Sequence, residues 1–340
     1  MKKILIAACA VFFFAACKQV DKAPDVSHIE VALNVRHLER DFASVDTSHL
    51  AQSLVALREK YPDFLDFYLD TFLSIGVGGR YTPDNPAITE GVYSYLTYPD
   101  YRALYDTVLA HFPNTNQIDE DLKKGFQYMK YYYPKYHVPK IIYFTSFLSG
   151  GNAITIDTSI AAIALDMYLG PGYPYYASMG HPAYMTRTFL PPYAVVNVMK
   201  VIYRNQRPFF HEDRSLLDMM VQRGKEQYFL QKVLPFVPDS VRIGYTAPQW
   251  EWATASEGTI YAWLAQQNLI YDKTGQKIMR YITEGPTTPG MPVESPGNIG
   301  TFIGYRIVQA WAGRHPDADL ETVLNHPDAQ KMLEEARYKP

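Results

Sequence analysis

Few residues in this chain have the type and spacing that catalysis requires. Its only cysteines, Cys9 and Cys17, both fall within the first 17 residues. The rest of the protein therefore has no disulfide frame, no thiolate zinc site and no cysteine nucleophile. A helical zinc site needs histidines at i and i+4 with a glutamate between them to polarise a water. The nearest approach is His211-Glu212-Asp213-Arg214-Ser215, where serine stands in place of the second histidine. The other histidines are scattered, with none four apart. No Gly-x-Ser-x-Gly elbow, Walker loop or dinucleotide fingerprint occurs, so neither a metal nor a cofactor is expected. What remains is a set of carboxylates, Asp157, Asp166, Glu257 and Glu294, which could line the cleft of a hydrolase with an unconventional site. Tyr173, Tyr175, Tyr176, Tyr184 and Tyr193 cluster in a proline-rich stretch. They would suit either a glycan- or peptide-binding surface or ordinary packing of rings with wet hydroxyls.

These residues sit in a chain of 340 that is 47% hydrophobic and 20% charged, with net charge −3. That composition specifies a packed core and excludes a generally basic nucleic-acid binder. Met1-Lys2-Lys3 followed by thirteen apolar residues, Ile4 to Ala16, is too short to span a bilayer and reads as a signal peptide. Ala15-Ala16-Cys17 ahead of Lys18-Gln19 places small residues directly before a cysteine, the pattern of a bacterial lipobox. Residues 1–16 are thus expected to be removed and Cys17 acylated, with 17–28 as a lipidated tether. Loss of Lys2 and Lys3 would shift the formal charge from −3 to −5.

Residues 29–340 read as one α+β domain, predominantly helical around a small sheet. Ile29 to Leu38 alternates with period two, as a half-buried strand does. Ile141 to Phe147 and Ala153 to Asp157 flank Gly150-Gly151 as a hairpin. Ile160 to Tyr168 fits a third strand or a helix start. Helical spacing marks 50–60, 62–73, 89–97, 101–111, 119–133, 192–203, 216–234, 248–268, 298–313 and 329–336. Gly300 and Gly304 share a face of the 298–313 helix, where missing side chains would admit a close neighbour.

Several segments in order resemble a known family. They are Tyr61-Pro62-Asp63-Phe64, Ala164 to Gly170, Met219 to Tyr228, Glu294 to Gly300, Gly304-Tyr305-Arg306-Ile307-Val308 and Tyr338-Lys339-Pro340. The set is similar to the gliding-motility lipoprotein GldB family of Bacteroidetes, over about Ile29 to Pro340. The resemblance implies a lipid-anchored, periplasm-facing or outer-membrane protein of the gliding and associated secretion machinery, with other envelope or motility proteins as its partners. The family is distantly similar to predicted zinc peptidases, which implies a degenerate zincin-like fold. In those peptidases a helix after the Asp166 region would carry His-Glu-x-x-His, and Glu257 would be the counterpart of a downstream glutamate ligand. Here Val195-Val196-Asn197-Val198-Met199-Lys200 has no histidine. The leading expectation is a non-enzymatic lipoprotein that acts through protein contacts. Replacing Cys17 with Ser is expected to release the protein from the membrane fraction or stall its precursor. Normal processing and membrane retention of that variant, with both lost in Cys9→Ser, would assign the lipid to the wrong cysteine.

Overall fold

The computed structural model describes residues 23–76, 85–209 and 211–340. Cys17 and the leader lie outside the described residues. Among them, no helix is long and apolar enough to cross a membrane. The fold is α+β and mostly helical, with one four-stranded mixed sheet. The strands are β1 (Val35–His37), β2 (Lys140–Phe144), β3 (Ala153–Ile156) and β4 (Ile160–Ala164), in the order β1-β2-β4-β3. β1, β2 and β4 are parallel, and β3 runs antiparallel to β4. All five residues of β4 are buried, as expected of a strand covered on both faces.

The expected 141–157 hairpin does not form. β4 inserts between β2 and β3, and the hairpin is β3–β4, turning at Asp157 with φ 49°. β2 stops at Phe144 because Asp166 captures the backbone of the residues that follow, as described below. Of the alternating stretch 29–38, only Val35–His37 pairs, and a helix begins at Leu38. The 248–268 stretch divides at Ser256 into helices Ala247–Ala255 and Glu257–Gln266. Val26 already belongs to the core.

Three helices organise the C-terminal half: α1 (Pro192–Gln206), α2 (Leu216–Val233) and α3 (Ile299–Arg314). Ser215 and Asp218 cap α2 reciprocally, the Ser215 hydroxyl accepting from Asp218 N–H and the Asp218 carboxylate accepting from Ser215 N–H. α2 is buried around most of its circumference and crosses α3 at glycines. A Cβ on Gly304 would lie 1.7 Å from the Met220 carbonyl oxygen, and one on Gly224 would lie 2.2 Å from the Gly304 carbonyl. The two backbones touch there. Gly300 is less tightly constrained, a Cβ there lying 2.8 Å from the Tyr281 carbonyl oxygen. The spacing of Gly300 and Gly304 therefore has the packing role that the sequence suggested.

Burying most of α2 draws Lys225 inside, where its ammonium donates to His326 O at 2.5 Å. Burial lowers its pKa to about 8.

Two measurements follow. Gly304→Ala should destabilise by about 1–3 kcal/mol or more, since backbones must part. Gly313→Ala, on the same helix with open space at its Cβ, should stabilise by about 0.5–1 kcal/mol. Equal effects in denaturant titrations would contradict the crossing. Between pH 8 and about 10 the unfolded Lys225 still holds its proton while the folded one has lost it, so stability should rise with pH across that window. Lys225→Met should flatten the rise; an unchanged slope would refute the assignment.

Candidate functional site

The carboxyl ends of parallel strands are where α/β proteins commonly place ligands, and here that end is built around Asp166. Its side chain is fully buried just past β4. It accepts from Ser146 N–H at 2.8 Å, Leu148 N–H at 2.7 Å and the Ser146 hydroxyl at 3.0 Å. Among the described residues no cation pairs with it; burial raises its pKa, and those donors oppose the rise. With both amides drawn to one carboxylate, the chain leaving β2 bends so sharply that Phe147 and Leu148 take φ of 55° and 60°. Such conformations are costly for bulky residues and persist only where surrounding contacts impose them.

Asp166 also steers a second loop. Tyr176 donates its hydroxyl to Asp166 O at 2.7 Å and accepts from Leu169 N–H at 3.0 Å. His181 Nε2 is 2.9 Å from Leu148 O, joining the two loops. Together they present an aromatic basket of about 410 Å³, whose walls include Phe72, Tyr95, Tyr101, Phe147, Tyr173 and Tyr175. Tyr95 and Tyr101 are stacked at 4.6 Å, and Phe147 meets Tyr95 at 4.7 Å and Tyr101 at 5.2 Å. Asp100, Ser149 and Ser178 supply polar groups, while Tyr175 and Met179 stand 59% and 50% exposed beside it. The size and lining suit an apolar or aromatic group with a polar or cationic edge.

Of the four candidate carboxylates, Asp157, Glu257 and Glu294 do not join Asp166 here. Asp157 sits in the β3–β4 turn, at the opposite end of five-residue β4 from Asp166. Its backbone carbonyl accepts from Asn205 Nδ2 at 2.8 Å. Glu257 is held by Arg306 Nε and the Tyr338 hydroxyl, each at 2.8 Å, and so fastens the C-terminal residues. Glu294 is exposed before the turn into α3. Among the described residues, no three of His, Cys, Asp and Glu converge as metal ligands. Tyr173 and Tyr175 of the tyrosine cluster reach the basket, and Tyr176 supports it from beneath.

The family described as gliding motility protein GldB matches residues 19–340, nearly the entire sequence. The chain belongs to the GldB family. Neither a curated protein nor a solved structure matches it. The family is one of motility lipoproteins of the cell envelope. Within a GldB chain, the basket joins Tyr95 and Tyr101 to Tyr173 and Tyr175, more than seventy positions later. No local pattern links the two pairs; the one sequence signal was the density of tyrosine around 173–176.

Asp166→Asn keeps the size of the side chain but replaces one acceptor oxygen with a donor that must face an N–H or hydroxyl. It should cost about 1–3 kcal/mol and speed amide exchange at Ser146 and Leu148. Unchanged exchange at both would show that the carboxylate does not hold the loop.

Proposed function

We propose that this GldB protein is a lipid-anchored envelope component of the gliding and associated secretion machinery, acting by contact with another envelope protein and not by catalysis. The observation that carries the reading is the employment of Asp166, the buried acid at the carboxyl end of the sheet. Asp166 is held by three loop donors, and half-buried Glu257 by Arg306 and Tyr338, one on each oxygen. Neither is left to accept a proton from a substrate in this arrangement. The concavity beside Asp166 is aromatic, with a polar edge, as a contact that must be specific without chemistry would be. Cys17 is the proposed site of the lipid. The reading includes a degenerate zincin-like fold whose α1, packed against β3 and β4, lacks histidine.

The partner is taken to insert an apolar or aromatic side chain into the basket, with a basic group beside Asp100. Because Tyr175 and Met179 are half-exposed, the double variant Tyr175→Ala/Met179→Asp should change stability little. Expressed in place of the native protein in gliding cells, it should fractionate with membranes at normal abundance and yet fail to support surface spreading. Full spreading with that variant would remove the basket from the mechanism.

A further inference from the structure

The polar groups around the aromatic basket share a bias toward accepting hydrogen bonds. The Ser149 hydroxyl donates to Ser146 O at 2.7 Å, the Ser178 hydroxyl to Tyr175 O at 2.8 Å and the Tyr95 hydroxyl to Leu73 O at 3.0 Å. With their hydrogens committed to the backbone, these three oxygens offer only lone pairs to a group that enters. The one charged side chain of the lining is the carboxylate of Asp100.

Asp100 lies exposed in the first turn of the Pro99–His111 helix. Among the described residues it has no ion pair. Arg102, two positions on, donates instead to Asp106 Oδ1 and to Ala43 O, each at 3.0 Å. No Lys, Arg or His among the described residues lines the basket. Its charge is therefore one carboxylate, backed by aromatic rings whose faces are also negative.

Such walls attract a cation that can leave water and lie flat. A guanidinium is planar, brings five donors and no acceptor, and is more weakly hydrated than an ammonium. It also stacks on aromatic faces, where arginine is found more often than lysine. We propose that the partner inserts an arginine side chain into the basket, its guanidinium laid against the tyrosine faces and paired with Asp100. This rests on the reading of the basket as a protein contact and specifies what enters it. The volume of about 410 Å³ equals roughly fourteen waters at about 30 Å³ each, room for an arginine and an apolar neighbour. Leu104 and Met179 give apolar surface to that neighbour and to the methylene stem of the arginine.

Calorimetric titration of the purified full-length protein tests this. The probes are acetyl-Leu-Arg-amide and its lysine and citrulline counterparts, citrulline keeping the shape of arginine without its charge. The arginine probe should bind saturably at millimolar concentration or below. The citrulline probe should bind about tenfold more weakly, the combined loss of the ring attraction and an exposed ion pair. The lysine probe should fall between them. Asp100→Lys should abolish binding of the arginine probe and leave that of the citrulline probe unchanged, a split that a folding defect would not produce. If Asp100→Lys does not fold, the arginine-against-citrulline comparison on the native protein decides alone. Equal binding of arginine and citrulline would overturn the proposal and leave the basket a contact for a neutral segment. Undiminished arginine binding by a folded Asp100→Lys, or no arginine binding at millimolar probe, would also overturn it. So would self-association in sedimentation that Tyr175→Ala/Met179→Asp abolishes, which would make a second copy the occupant. The contact reading itself is judged separately, by the surface spreading of cells carrying that double variant.

Discussion

The architecture depends on the contact between α2 and α3 at Gly224 and Gly304. Side chains normally hold helices 8–10 Å apart; here the Met220 and Gly304 carbonyls occupy the space a methyl group would take. The approach brings α2 so far inside that its polar residues must find partners within the fold. Lys225 takes a backbone carbonyl of His326, and Glu226 takes Arg204 and Arg223. The buried charges of this half are consequences of the crossing. On the other side of α3, Arg306 holds Glu257, which also accepts from Tyr338 near the end of the sequence.

The sheet obeys a different constraint. Its short parallel strands end together, and one carboxylate at that end governs two loops. Asp166 bends the backbone after β2 into the left-handed region, while Tyr176 ties its peptide carbonyl to the 169–176 segment. The loop walls of the basket, which carry Phe147, Ser149, Tyr173 and Tyr175, share this hub. An acid used in this way is a fastener, which explains how a fully buried carboxylate can persist without a cation.

Much of the helical part was legible because amphipathic spacing and capping are local. The Ala329–Ala336 helix matches its expected bounds, and Gly300 and Gly304 were readable as a close-contact face. Their counterpart Gly224 was not, since nothing local ties residues eighty positions apart. Strand order failed for the same reason: insertion of β4 beside β2 is a long-range pairing, whereas Gly150-Gly151 is a strong local turn signal. The break at Ser256 escaped because apolar spacing continues across it. Asp166 was legible as a candidate cleft carboxylate, whereas the role it has in the fold depends on amides eighteen and twenty positions earlier.

The central functional claim is that the aromatic basket grips another envelope protein. Site-specific photocrosslinking in living, gliding cells tests it most directly, with the photoreactive residue at Tyr175 on the basket and, as a control, at Tyr271, which is 60% exposed elsewhere. A discrete membrane-protein adduct from position 175, absent at 271 and lost when Tyr95 and Tyr101 are both alanine, is the predicted result. The same adducts from both positions, or none from 175 in cells that glide normally, would contradict the account.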